Sequence, residues 1–453
     1  MRKYQFVCFF LLNIFVAYGQ DDSVMIRRIS DEILLHGESY DNLRALTKNI
    51  GQRLTASPNF YKAIQWGLAT MKHSGATKAW LQECQVPHWV RGGKDMATAT
   101  VAGQKKPLDV IALGNSMGTG AAGVSSQVVE VRSFDELQQK KDSVKGKIVF
   151  YNYKFKANFV NTFQSYVDAV PYRGAGASMA AKYGAKAVIV RSMTHSTDNN
   201  PHTGSLRYDT TQPEIPAVAV GLQDADWLDS AIAKKPVSVF MKTGGHFLPD
   251  TVGDNVIGEL TGTEFPDQYI TIGGHLDSWD PAEGANDDGA GVVQTIELLR
   301  TFVALGYHPK HSIRFVLFAN EENGLRGGLK YAAEAKAKNE KHIFALESDA
   351  GSFTPRGFTV DVTDAQLQKL NSWLPLLQPY GSYLFINGGG GADVGPLKEN
   401  VGAAVGELLP DSQRYFDYHH ARNDVFENVN KRELELGAIN MAALIYLVDK
   451  YGL

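Results

Sequence analysis

The stretch Tyr269 to Gly291, YITIGGHLDSWDPAEGANDDGAG, constrains the fold more than any other part of the chain. Tyr269-Ile270-Thr271-Ile272 is a short β-branched run closed by Gly273-Gly274, which reads as a buried strand that stops where the ionisable residues begin. His275, Asp277, Asp287 and Asp288 then crowd one connection. Beyond Gly289, the apolar residues Val292, Ile296, Leu299 and Val303 recur at helical spacing, so the connection runs from a buried strand into an amphipathic helix. In open α/β sheets, ligands sit at such carboxyl ends of strands.

A single His-x-Asp is most often a hydrogen-bonded pair, but the same architecture recurs further along the chain. HSIRFVLFANEE, from His311 to Glu322, is a second buried strand, and it ends in the adjacent carboxylates Glu321 and Glu322. Neighbouring glutamates repel each other unless a cation or a shared proton relieves them. Ile343-Phe344-Ala345-Leu346 delivers Glu347 and Asp349 in the same way, and a late loop, YFDYHHARND, supplies His419, His420 and Asp424. Three strand ends and a histidine loop, all carrying imidazole or carboxylate, point to a metal site.

These residues resemble the co-catalytic zinc exopeptidases, a family that includes bacterial secreted aminopeptidases, glutamate carboxypeptidase II and the transferrin receptor ectodomain. GGHLDSW, GANDDGAG, ANEE, LESDAGSF and an HH pair with Asp four residues beyond its second histidine occur in the family's order, with His275 and Asp287 twelve residues apart. The resemblance implies an α/β fold with a mixed, mainly parallel central sheet flanked by helices, and two zinc ions per chain. It makes Asp287 the carboxylate that bridges the ions, with His275 and Asp349 completing one and Glu322 and His420 the other. Asp277 would accept the free ring N–H of His275, and Glu321 would be the general base. Many members carry Tyr before the last histidine ligand; here the position is His419. His420 is taken as the ligand because it makes the His-x-x-x-Asp pattern with Asp424, and His419 takes the tyrosine's place in stabilising the oxyanion. The resemblance also implies a cis peptide after Asp287.

Such residue types suit the chemistry. Histidine nitrogen and carboxylate oxygen are ordinary zinc ligands, and a zinc ion lowers the pKa of bound water from about 16 to near 7, so that two ions can share a hydroxide. The implied activity is hydrolysis of dipeptides or of short peptides with a free terminus, with an aminopeptidase of broader range as the alternative. Transferrin receptor adds a second class, a binding module without peptidase activity, and glutaminyl cyclases of related fold add acyl transfer. The intact ligand set and Glu321 argue for the enzyme.

The rest of the chain is consistent with an exported protein. Arg2 and Lys3 lead into an apolar run from Phe6 to Ala17, and Ala17-Tyr18-Gly19 offers small residues for cleavage, so 1–19 reads as a signal peptide directing export to a periplasm or out of the cell. The run is too short to span a bilayer, and no later segment is apolar enough. Cys8 falls within the signal, which leaves Cys84 alone as a small core residue with no disulfide partner. Lys and Arg number 45 against 49 Asp and Glu, a net charge of −4, too balanced for a nucleic-acid or anionic-membrane partner.

Five segments are expected. After the signal, 20–38 is a leader or propeptide-like segment, and 39–113 is the first part of the catalytic domain, with Ser57-Pro58 starting a helix. Residues 114–249 form an insert; its GASMAAKYGAKAVIVRS resembles the protease-associated domain of many relatives, and its polar segment from Ser196 to Tyr208 is placed to wall the cleft. The catalytic domain resumes at 250 and runs to 453. Within it, the glycine cluster Gly388 to Gly391 puts Asp393 at the cleft rim, as a candidate substrate contact. Relatives often dimerise, so a homodimer is an open possibility.

Overall fold

In the computed structural model, residues 15–453 are described. Most of the expected signal segment, 1–14, lies outside the described residues. No described helix is long and apolar enough to cross a membrane.

The larger of two bodies is built on eight strands: β1 (Lys78–Val90), β2 (His246–Leu260), β3 (Phe265–His275), β4 (His311–Phe318), β5 (Lys341–Glu347), β6 (Pro355–Asp361), β7 (Leu384–Asn387) and β8 (Ala404–Pro410). Their spatial order is β1-β2-β4-β3-β5-β8-β6-β7. The central pairs β4/β3, β3/β5 and β5/β8 are parallel, as is β6/β7 at one edge, whereas β1/β2, β2/β4 and β6/β8 are antiparallel. The expected mixed, mainly parallel sheet is thus present.

Both faces of the sheet are covered, which explains the unbroken apolar runs of its central strands. Along β4, Ile313, Phe315 and Leu317 enter one core while Val316 and Phe318 enter the other, as the two-residue repeat of a strand requires. Helices Phe15–His36, Pro58–His73, Ala290–Ala304 and Lys431–Tyr451 supply the first core; Arg326–Ala337 and Gly395–Val401 supply the second. Ser57 caps its helix as expected, its hydroxyl accepting the Phe60 N–H at 3.2 Å. Cys84 is buried, and burial pushes its thiol up to about 12.

Segment 20–38, expected as a leader, is built into this core. Ile26, Ile29 and Ile33 are fully buried, and the helix packs against Lys431–Tyr451 and Ala290–Ala304. Asp22 ties its start to the C-terminal helix by accepting hydrogen bonds from Tyr446 Oη (2.9 Å), Lys450 Nζ (2.6 Å) and Tyr451 Oη (2.8 Å).

The second body is an eight-stranded sheet, with strands in the spatial order Gln104–Leu108, Met96–Val101, Val237–Lys242, Val124–Val131, Ile148–Tyr151, Ala187–Arg191, Ala217–Val220 and Val110–Ala112. Three of these strands precede Gly114, so the expected start of the insert is corrected. Met96–Val101 pairs with Val237–Lys242, and Val110–Ala112 with Ala217–Val220. The reason lies in the main sheet. The chain leaves along β1 and returns along β2, and these pair with each other from Lys78 opposite Glu259 to Val90 opposite His246. The excursion therefore begins after Val90 and ends before His246.

Candidate metal centre

The parallel strands β4, β3 and β5 lie side by side, so their carboxyl ends converge on one cleft. β3 ends at His275, whose N–H donates to Asp288 Oδ2 at 3.0 Å, while Asp288 Oδ1 accepts the Gly291 N–H at 3.0 Å. A side chain at Gly274 would close this arrangement off, because its Cβ would lie 2.4 Å from Asp288 Oδ2. The Asp287–Asp288 bond is cis.

His275, Asp287, Glu322, Asp349 and His420 come together at this point. His275 Nε2 lies 3.2 Å from Asp287 Oδ1 and 3.3 Å from Asp349 Oδ1. His420 Nε2 lies 3.2 Å from Asp287 Oδ2 and 3.1 Å from Glu322 Oε2. Two groups of candidate ligand atoms result, His275 with Asp287 and Asp349, and Asp287 with His419 and His420; atoms within each lie within 4.8 Å of one another. His419 is the looser member at 3.8 Å from Asp287, and its ring stacks on His420 with centroids 3.5 Å apart.

The donor set suits cations. Asp287 Oδ2 and Asp349 Oδ1 are buried and accept no hydrogen bond, and buried acceptors of this kind call for a partner. Burial, with Asp287 nearby, pushes the Glu322 carboxyl up to about 7. Burial, followed by the charges of Asp349, Glu322 and Asp277, also raises Glu321 well above the usual carboxylate range. Carboxylates crowded in this way are stabilised in their ionised form by divalent metal.

Asp277 differs from expectation. His275 Nδ1 is 3.0 Å from the backbone carbonyl of Asp277 and 3.7 Å from its carboxylate. The carboxylate is turned elsewhere: Oδ2 accepts the Thr55 hydroxyl at 2.7 Å and Oδ1 accepts the Glu321 N–H at 3.0 Å. Asp393 is also displaced from its expected place. It is fully buried, outside the cleft lining, and both its carboxylate oxygens lack hydrogen bonds. Gly391 and Ala392 line the cleft instead. Glu347 holds that loop, its carboxylate accepting the N–H groups of Ala392, Asp393 and Val394 at 3.1, 2.9 and 2.9 Å.

The cleft has a volume of about 810 Å³, and both bodies line it, the first with Glu321, Glu322 and His420 and the second with Phe163, Tyr166 and Leu206. A second hollow of about 740 Å³ lies near Arg91 and Lys106. Two of its cations are paired, Arg91 with Asp280 at 2.5 Å and Lys106 with Asp224 at 2.6 Å.

The arrangement has known relatives. Residues 255–445 match the sequence profile of peptidase family M28. Human carboxypeptidase Q is 32% identical over 412 residues, 90% of this chain and 85% of that protein. Carboxypeptidase Q of Xenopus laevis is 32% identical over 92% of this chain and 88% of its own length. The solved structure of a peptidase M28 precursor from Shewanella amazonensis SB2B has a TM-score of 0.90 at 32% identity, covering 95% of this chain and 97% of that one. The chain belongs to peptidase family M28. A zinc aminopeptidase from Bacillus subtilis shares the M28 fold, with a TM-score of 0.64 at 19% identity, over 90% of this chain and 94% of that one. The protein is accordingly a metallo-exopeptidase, a hydrolase of peptide bonds.

Arg53, beside this M28 centre, carried no sequence signal. Arg53, fully buried, donates to the carbonyls of Leu276 (2.7 Å), Glu283 (2.6 Å) and Gly284 (3.0 Å), clamping the loop that presents Asp287. Burial lowers its guanidinium to about 10 against the opposing pull of Asp424 and Asp277. Asp424 grips the same loop, its oxygens accepting the N–H groups of Asn286 (2.8 Å) and Asp287 (3.1 Å). That contact gives the His-x-x-x-Asp spacing a physical reason.

Proposed function

We propose that this M28 peptidase is an exported two-zinc exopeptidase that hydrolyses dipeptides or short peptides with a free terminus. The observation that carries this reading is the division of Asp287 between two imidazoles, Oδ1 facing His275 and Oδ2 facing His420, each at 3.2 Å. His275, Asp287 and Asp349 would hold one ion, and Asp287, Glu322 and His420 the other. Zinc bound there supplies a Lewis acid for the scissile carbonyl and makes water acidic enough to attack at neutral pH.

The chain's own groups do the rest. Glu321 lines the cleft beside both ligand groups, with its backbone fixed by Asp277. It takes the proton from the attacking water and returns it to the departing amine. His419, buried among Tyr166, Tyr415 and Phe416 and lining the cleft, would donate to the oxyanion.

Preference for a free terminus rests on charge. Arg207 and Arg326 line the cleft without a carboxylate partner among the described residues, and they would attract a substrate carboxylate. The second body is read as a protease-associated insert that narrows the cleft with Phe163, Tyr166 and Leu206.

Release of free amino acids from a dipeptide panel, with N-blocked and C-blocked versions alongside, tests the reading. Cleavage confined to unblocked dipeptides is expected. Cleavage of C-blocked substrates would place the protein among aminopeptidases of broader range, and no hydrolysis by zinc-loaded protein would point to a binding module.

A further inference from the structure

The segment Pro201–Gly204 belongs to the second body, yet it is buried against the histidine loop of the first. His202 Nδ1 donates to the carbonyl of His419 at 2.7 Å, and the Thr203 N–H donates to the carbonyl of His420 at 3.0 Å. The same segment is bonded into its own sheet. Thr203 Oγ1 donates to the carbonyl of Ala112 at 2.8 Å, and the His202 N–H donates to Ser192 Oγ at 2.9 Å. His420 itself has φ of +61°, in the left-handed region that a residue with a side chain seldom adopts. Its conformation is therefore supported from outside its own loop.

The ring of His420 is addressed as well. If Nε2 faces a metal with its lone pair, Nδ1 carries the proton and needs an acceptor. The Thr203 carbonyl lies 3.3 Å from Nδ1. Arg173 Nη1 is equally near at 3.3 Å, but guanidinium has no lone pair to offer, and Arg173 is occupied by Tyr166, whose hydroxyl accepts from Nη2 at 2.6 Å. The space between these groups is filled by Gly204, with φ of +119°. A Cβ there would lie 2.5 Å from both His420 Nδ1 and Arg173 Nη1.

We propose that the inserted body is a working part of the metal centre: the Thr203 carbonyl, held at its place by Gly204 and the His202 bond, fixes the tautomer and aim of His420, so that retention of the second ion depends on the insert. Thr203 and Gly204 are positioning residues, since they act through His420. This inference rests on the two-ion reading. It goes further by making one of the two ions dependent on a segment more than two hundred residues away in sequence.

Zinc titration of the metal-free full chain, by calorimetry with metal analysis after dialysis, separates the two ideas. Wild type should take up two ions per chain. Gly204→Ala should weaken one step by about 10–100-fold, the usual effect of disturbing a ligand's hydrogen-bond partner. The weakened step should be the one lost in His420→Ala, with the step lost in Asp349→Asn unchanged. Gly146→Ala, at another positive φ with open space around it, should leave both steps as in wild type. Should Gly204→Ala fail to fold, His202→Phe should weaken the same step and His202→Asn, which restores a donor, should recover it. Two wild-type steps in Gly204→Ala and His202→Phe, or equal loss of both, would overturn the inference alone. A single ion in wild type would overturn the two-ion reading and the inference with it.

Discussion

The Asp277 carboxylate accepts the backbone N–H of Glu321 at 3.0 Å, so the loop after β3 fixes the residue that follows β4. Glu321→Gln preserves this backbone bond and removes only the basic oxygen. Turnover should fall by about 10²–10⁴-fold, the range for loss of a general base, while metal content stays as in wild type. Asp287→Asn should lose both. Steady-state rates and metal analysis on the same samples check the pair.

Asp277→Ala should act more subtly. It releases both the Glu321 N–H and the Thr55 hydroxyl while leaving the Asp277 carbonyl beside His275. The expected outcome is a kcat lowered by about 10–100-fold, as for other groups that orient a metal centre, with little change in KM or zinc content. Loss of zinc without loss of folding would assign the carboxylate to His275 instead.

Chelation should remove activity and stability together. Without bound metal, Asp287, Glu322 and Asp349 would repel one another, and a ligand that binds only the folded state at a hundred times its Kd contributes about 2.7 kcal/mol. Melting curves with and without chelator should differ by several degrees and converge when zinc is restored.

Acid should act through a cluster far from the cleft. Arg314 donates to both Glu340 oxygens, at 2.7 and 3.1 Å, and His342 Nε2 is 3.1 Å from one of them. Burial alone would raise the Glu340 carboxyl, but the His342 and Arg314 bonds outweigh it and hold it at about 2. Because the folded value is depressed, the stabilisation is full above the ordinary carboxylate value of about 4.3 and is lost as pH falls through about 2. Denaturant unfolding of wild type and Glu340→Gln between these limits should show a difference that shrinks with acidity.

Ile29→Ala tests whether the first helix is structural. Its side chain is fully buried in the main core, so the change should cost about 2–5 kcal/mol. A dispensable leader would show no shift in the unfolding midpoint.

Legibility in the sequence followed the range of the forces involved. Strand ends carrying ionisable side chains are local patterns, so the sequence could single out His275, Asp287, Glu321, Glu322, Asp349 and His420 as candidates, which the fold gathers in one place, and β3, β4 and β5 with them. Ser57 announced its helix for the same reason. What could not be read were partners chosen by the fold: Arg53 meets the metal loop through carbonyls of residues 276, 283 and 284, and the carbonyl of Thr203 has no sequence signature. Asp393 misled because its neighbouring glycines suggest a rim, while Glu347 pulls the loop inward by three backbone bonds. The start of the insert was misplaced because strands such as Met96–Val101 look alike whichever sheet they join.

The pairing of Val90 with His246 also bears on the order of assembly. An unstructured excursion from 91 to 245 would have to be closed against its own entropy before β1 could zip onto β2, and such non-local pairings form slowly. A second sheet that is already formed holds those ends together. Acquisition of structure should therefore pass from the insert to the edge of the main sheet, and hydrogen exchange during refolding should protect Ile148–Tyr151 and Ala187–Arg191 before Lys78–Val90.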